Sequence, residues 1–478
     1  MNSFLLRVEG VNLANYVYDT QDLSTIRGGG LQLLDAAKKV QDFLSQMGCS
    51  TRSIIEAASI GLFHVESARS PEEVHRSLAA RLADWLPHAT FTVDIDSTHA
   101  DFPIRRAALT ARNRWRQMQA PTVVYPPLKG VREQDKVCEI DMVRPGKQVQ
   151  NAPDRKKIQS ESVRSRREFG RAQKQSFYLA EMSRVGPPDP PDYQYTLDFE
   201  DLCENSDEWG NLRDKMAVLY LDGNRFGEFA REYCRTEDSQ RDFSQGLRNE
   251  QARILRKLIE TLITPDPTWR NAHAENRVRL ETLLWGGDEI LWVVPAWKGW
   301  ELLRFFFEEC STRPTPPWSP SPDAMTYSAG LVFCHSKAPI HTIRKLAKDL
   351  AEKVKHRNKN EGNAYQNRFL YQVLESFDHI GAVDDSYLPL VLPGPSSQEI
   401  SNKMPALREQ VSRKKLHRMM KEPSVATEVA SEIKKELRSA RATEALAGIE
   451  ELENVASDRV WHHIAELWDY AVPERIDI

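Results

Sequence analysis

Three carboxylates stand where phosphate chemistry could use them. Asp222 closes the apolar run Met216–Leu221 and is followed by Gly223. Asp288 and Glu289 follow Gly286-Gly287 between two further apolar runs, in Leu-Leu-Trp-Gly-Gly-Asp-Glu-Ile-Leu-Trp-Val-Val at 283–294. The second stretch predicts a tight β-hairpin with the acids at its tip, because paired glycines supply the backbone angles of a short turn. An acidic pair between two buried strands does little for stability. If strand 216–221 pairs with the hairpin, Asp222 and Asp288 converge at one sheet edge. Carboxylates so placed repel one another unless a cation lies between them. Hard oxygen donors of this kind suit Mg²⁺ or Mn²⁺, held jointly with substrate phosphates.

The elements around these acids follow a pattern. Residues 216–227 run strand-Asp-Gly-x-x-Phe-Gly, and the hairpin follows about sixty residues later. A third block, Tyr327-Ser328-Ala329-Gly330-Leu331-Val332, reads as a strand, and Ile343–Lys355 reads as a helix ending in lysine. Together the blocks resemble the palm-type nucleotidyl cyclase superfamily. That group includes GGDEF diguanylate cyclases and the polymerase-like large subunit of type III CRISPR effector complexes, and the resemblance is closest to the CRISPR subunit. It implies that Asp222, Asp288 and Glu289 are catalytic. It also implies that two Mg²⁺ or Mn²⁺ ions are held by Asp222, the Gly223 carbonyl, Asp288 and Glu289. Nucleotide contacts are expected from Gly223, Asn224, Phe226, Gly227, Gly286, Gly287, Ser328 and Lys355, with Lys348 and Lys353 as near misses in register.

Two copies of one unit are expected. Strand Phe4–Gly10, helix Leu23–Met47, hairpin strands Ile54–Ala58 and Ile60–Val65, amphipathic helix Pro71–Leu86 and strand Ala89–Ile95 make a βαββαβ order. Strand 216–221, helix 241–264, hairpin 279–294, helix 297–310 and strand 325–333 repeat it. The expected fold is α+β: two tandem ferredoxin-like palms forming a pseudo-dimer, then a helical C-terminal domain over 400–470. The divisions are a degenerate palm at 1–142, a basic, proline-rich connector at 143–210, the acidic palm at 211–392 and the helical domain at 393–478. Gly28-Gly29-Gly30 reads as a turn before a long helix whose backbone N–H groups could meet a phosphate, or as a plain helix start. Thr122–Pro126 reads as a strand. Residues 143–175 carry ten Lys/Arg against three acids. That run is a solvated surface or a contact for RNA or triphosphate.

Composition sets bounds. The 478 residues are 40% hydrophobic and 28% charged with net charge −4, so no global basic field points to nucleic acid. Six cysteines without a C-x-x-C pair argue against a zinc ribbon and for free thiols in a reducing compartment. No apolar stretch has membrane-spanning length, and no signal peptide opens the chain; a cytoplasmic protein without membrane contact is expected. The adjacent His462 and His463 point apart on a helix and are not expected to hold metal.

Relative to diguanylate cyclases, Ala230 stands where an Asn reads guanine, and 276–285 contain no R-x-x-D site. Adenine is therefore favoured. No His-Asp dipeptide occurs and the chain opens on its first strand, so an HD nuclease activity is not expected. The leading reading is a metal-dependent cyclase that converts ATP to a cyclic oligoadenylate messenger in antiviral defence. A non-catalytic palm scaffold and a GGDEF-type cyclic dinucleotide synthase remain as alternatives. Guide or target RNA and other effector subunits are the partners implied, with stand-alone and homo-oligomeric forms both open.

Overall fold

The computed structural model describes residues 1–57, 59–120, 136–148, 157–187, 193–204, 207–271, 276–311, 326–360, 366–375, 392–394, 396–421, 426–456 and 460–475. The expected strand at 122–126, the proline-rich turn at 313–322 and most of the 186–192 linker lie outside them.

The first palm comprises β1 (Asn2–Val11), α1 (Leu13–Val17), α2 (Leu23–Gln46), β2 (Ser50–Ala57), β3 (Ile60–Ser67), α3 (Pro71–Trp85) and β4 (Thr90–Asp96). Its antiparallel sheet has the order β2-β3-β1-β4. Alternation along β1 sends Phe4, Leu6 and Val8 into a core with Val40 and Leu44 of α2 and Leu78 of α3. The helices start where the chain supplies caps. The Asp22 carboxylate accepts from Thr25 N at 2.9 Å, and the Ser70 hydroxyl accepts from Glu73 N at 3.2 Å ahead of Pro71. The opposite sheet face is covered by α4 (Phe102–Gln119) through Phe102 and Leu109 against Leu5 and Leu62. This helix was not legible in the sequence.

A small sheet of β5 (Lys136–Val137), β6 (Pro145–Gln148) and β7 (Ile158–Gln159) leads to α5 (Glu161–Ser183). The basic run divides. Arg144, Arg166 and Lys174 are buried against protein acids, which corrects the solvated reading for them, whereas Lys147, Lys157 and Arg164 are exposed. Arg144 and Arg166 clasp Asp19 at 2.5 and 2.7 Å, and Lys174 reaches Glu281 at 2.7 Å. The glycine-rich turn is likewise corrected. Gly28, Gly29 and Gly30 lie inside α2, so their N–H groups belong to the helical ladder. A Cβ on Gly28 would stand 1.7 Å from the Arg166 carbonyl oxygen; the glycine is there so that α2 and α5 can touch.

After α6 (Phe199–Cys203) the second palm begins with β8 (Lys215–Gly223), α7 (Phe226–Tyr233) and α8 (Glu237–Lys257). It continues with β9 (Arg270–Asn271), β10 (Arg277–Val278), β11 (Glu281–Gly286), β12 (Glu289–Pro295), α9 (Ala296–Ser311), β13 (Tyr327–His335) and α10 (Ile340–Asn360). The sheet order β11-β12-β8-β13 repeats that of the first palm, and β14 (Arg368–Val373) and β15 (Leu392–Pro393) extend it. The central strand β8 is buried on both faces. Ala217, Leu219 and Leu221 pack toward α8 and α9, and Met216, Val218 and Tyr220 toward α10. Helices α11 (Ser396–Gln410), α12 (Arg413–Lys421), α13 (Ala426–Ser439), α14 (Thr443–Ala456) and α15 (Val460–Glu466) close the chain. They join the second palm's core, and Trp300 of α9 donates to the Ser397 carbonyl at 3.1 Å. His463 lies buried with Nδ1 2.6 Å from the Tyr371 hydroxyl.

Candidate active site

The hairpin turns over two residues. Gly286 faces Glu289 across the ladder, leaving Gly287 and Asp288 as the loop. Gly287 has φ 64°, a conformation that glycine adopts without penalty. Gln251 of α8, itself buried, donates to the Gly287 carbonyl at 3.0 Å and steadies the turn. This residue gave no sequence signal beyond its place on an apolar helix face.

Strand register brings the acids together. Asp222 is paired with Glu289 on one side and with Ser328 on the other. Gly223 N donates to the Asp288 carbonyl at 3.0 Å, which ties the turn to the end of β8. A Cβ on Gly223 would stand 2.9 Å from that of Asp288, so only glycine permits this approach. Lys355 of α10 meets Asp222 at 2.6 Å, and Lys348 lies 3.7 Å from Glu289. Glu289 accepts the Tyr220 hydroxyl.

The other expected contacts sort by position. Asn224 and Ser328 are buried and bonded to one another, Ser328 Oγ donating to Asn224 Oδ1 at 2.7 Å, so they brace the loop after β8. Phe226 is buried against Phe243 and Tyr327. Gly227 is exposed in the first turn of α7, a helix whose N-cap, Arg225, provides no side-chain cap. Gly28 and Gly29 sit under α5, away from the hairpin, whereas Gly30 faces it, its would-be Cβ 3.4 Å from the Leu283 carbonyl. Gly30 also lines an apolar cleft of about 160 Å³ between the palms, beside Tyr18, Leu34, Leu283, Glu289 and Arg344. The Arg344 guanidinium lies 4.1 Å from the Tyr18 ring centroid. Neither residue was singled out from sequence, because their pairing joins positions more than three hundred residues apart.

Electrostatics marks the acids as a strained group. Burial, then Asp222 and Glu289, push the Asp288 carboxyl up to about 7, with Lys355 opposing. Burial also raises Asp222, again against Lys355. Two crowded carboxylates, Asp222 buried and Asp288 part-exposed, hold protons more tightly than usual, and a cation between them would relieve the same repulsion. Among the described residues no three acids, imidazoles or thiols form a ready-made metal cage. The candidate donors are the Asp222 and Asp288 carboxylates, with the Gly223 carbonyl beside them. Such a pair fits Mg²⁺ or Mn²⁺ completed by substrate phosphates and water, the usual mode of binding for these ions.

The first palm repeats the framework without the acids. Glu9 occupies the register of Asp222, paired with Ile60 and Thr92. Gly10 N donates to Ser59 O at 2.9 Å, as Gly223 does to Asp288. Asn12 and Arg225, each at the start of the following helix, share a left-handed backbone at φ 50° and 63°. Glu9 is already neutralised by Arg7 at 2.6 Å.

Comparison with known proteins agrees with this geometry. Residues 215–363 match the family of the Cas10/Cmr2 second palm domain. No curated protein matches the chain in sequence. The crystal structure of Csm1 from T. onnurineus is similar over 99% of this chain and 70% of its own, with TM-score 0.58 and 14% identity. A Csm1–Csm4 cassette in complex with cA3 is similar over 98% and 69%, with TM-score 0.56 and 13% identity. One in complex with pppApApA is similar over 98% and 69%, with TM-score 0.56 and 12% identity. At such identities the likeness is one of fold. The chain shares the fold of Csm1 along nearly its whole length, and its residues 215–363 match the family of the Cas10/Cmr2 second palm domain.

Proposed function

We propose that this chain is a metal-dependent nucleotidyl cyclase that joins ATP units into a cyclic oligoadenylate in type III CRISPR defence. The carrying observation is the convergence of Asp222 and Asp288 beside Lys355 at the C-terminal end of the central strand β8. The likeness to Csm1–Csm4 cassettes holding cA3 and pppApApA supports adenylate as the substrate class.

The reaction is attack of a ribose 3′-hydroxyl on an α-phosphorus with loss of pyrophosphate. It needs positioning and charge neutralisation more than covalent help. Asp222, Asp288 and the Gly223 carbonyl are the groups that would hold Mg²⁺ or Mn²⁺. When bound, the metal lowers the pKa of a coordinated hydroxyl and neutralises phosphate charge. Lys355 and Lys348 supply fixed positive charge for a triphosphate, and the uncapped first turn of α7 presents backbone N–H groups to it. Glu289, held by Tyr220, is a candidate for receiving the proton. The interpalm cleft, with Arg344 stacked on Tyr18, suits a planar base. We also propose that the chain works beside other effector subunits, as the similar structures sit in Csm1–Csm4 cassettes, and that RNA acts as activator.

The test is incubation of the purified chain with Mg²⁺ or Mn²⁺ and each NTP, with and without RNA, followed by mass analysis. Cyclic adenylates that vanish with Asp288→Asn support the proposal. Absence of product in every condition, with stable binding to RNA or effector subunits, would instead establish a scaffold.

A further inference from the structure

Three contacts between the palms each grip a different element of the acidic site. Arg106 of α4 donates through Nη1 to the carbonyls of Ala230 at 3.0 Å and Cys234 at 3.2 Å, and also to Gln240. It thereby closes the C-terminal end of α7, the helix that begins four residues after Asp222. A cation there satisfies terminal carbonyls and complements the helix dipole. Arg27 of α2 grips Glu281 at 2.8 and 2.5 Å, at the start of the strand that leads to Gly286. Gln21, just before α2, accepts from Ile340 N at 3.0 Å, with its amide nitrogen 2.6 Å from His341 Nδ1. It caps α10, which carries Lys348 and Lys355.

We infer that Gln21, Arg27 and Arg106 are positioning residues through which the first palm, whose hairpin turn lacks the acidic pair, holds the elements that carry the acids of the second. The inference rests on the cyclase reading above. None of the three touches Asp222 or Asp288. Simple adhesion between domains would need no such distribution. Here α7, the hairpin strand β11 and α10 each receive one of these contacts, two of them at a helix end, where backbone groups lack intrahelical partners. The first palm has exchanged its own chemistry, with Glu9 locked by Arg7, for a bracing role.

Full-length wild type, Arg106→Met, Arg106→Lys and Gln21→Ala are compared by amide hydrogen exchange, together with affinity for a non-hydrolysable ATP analogue. Arg106→Met should lower protection of 226–234 about tenfold and leave 340–346 unchanged. Gln21→Ala should do the reverse, and Arg106→Lys should retain most protection. Analogue affinity should fall several-fold in both truncating variants. Unchanged exchange, or loosening of both regions by either variant, would overturn the inference. A wild type that binds no analogue would refute the cyclase reading, and the exchange pattern would still decide whether the first palm braces the second.

Discussion

Asp288→Asn should make the metal-free protein more stable while abolishing synthesis. Asp288 is held up to about 7 against an ordinary value of 3.8, first by burial and then by Asp222 and Glu289. The folded chain therefore binds this proton more tightly than the unfolded chain. Between those two values the native state carries the extra proton, so stability falls as pH rises through this window, and the penalty is complete above about 7. The full difference corresponds to about 4 kcal/mol. The turn is part-exposed, so water screens the charges and roughly half, ~2 kcal/mol, is expected to survive. Asparagine keeps the shape and removes the charge.

The assay is urea denaturation in EDTA at pH 5 and pH 8. At pH 8 the variant should exceed the parent by about 2 kcal/mol, and the gap should narrow at pH 5. Added Mn²⁺ should stabilise the parent at pH 8 and close the gap, since binding to the native state alone raises stability. A variant no more stable than the parent at pH 8 would show that Asp288 is not a strained carboxylate, and the argument for a cation at this site would fall with it.

Other perturbations test neighbouring claims. Lys355→Gln removes the 2.6 Å partner of Asp222; Mn²⁺ measured by calorimetry without nucleotide should bind several-fold tighter, and an ATP analogue weaker. Glu281→Ala leaves Arg27 and Lys174 buried without their counter-charge, and should cost about 3–5 kcal/mol in urea denaturation. Gly28→Ala places a methyl 1.7 Å from the Arg166 carbonyl oxygen, and a thermal melt should show a loss of about 1–3 kcal/mol as α2 and α5 separate.

What could be seen in advance was what depends on local pattern. Alternation and short apolar runs located β1 and β8, helical spacing located α3, and the glycine pair with its acids located the hairpin, each to within a few residues of the observed ends. What could not be seen depends on pairs far apart in the chain. The buried Arg27–Glu281 pair spans 254 residues and the Arg106–Ala230 contact 124, and neither leaves a periodic trace. The glycine triplet misled because glycine permits both a turn and a close helix crossing. Only the position of Arg166 decides between them. The basic run misled in part: the counter-charges of Arg144, Arg166 and Lys174, namely Asp19 and Glu281, lie on other elements. Helix α4 lacked a legible stripe because the sheet face it covers is polar over part of its area, with Asn113 bonded to Thr92 and Asp94 beside the Phe102 and Leu109 contacts.

The two palms show how little separates a framework with a candidate metal site from one without. Strand order, ladder register, the amide tie across the hairpin and the left-handed residue before the next helix are the same in both. The differences are in side chains. Ser59 stands for Asp288 and Ile60 for Glu289, and Glu9, which retains the charge of Asp222, has Arg7 as a permanent counter-ion. In the second palm the counter-ion to Asp222 is Lys355, on a long side chain from a separate helix. Arg7 grips Glu9 through two buried guanidinium donors, at 3.1 and 2.6 Å, and so opposes a metal at that carboxylate. A lysine reaching from α10 can move to a phosphate when a triphosphate arrives and leave the carboxylate open. The difference between the palms thus resides in the exchangeability of the charge opposite the carboxylate position they share, and less in the carboxylate itself.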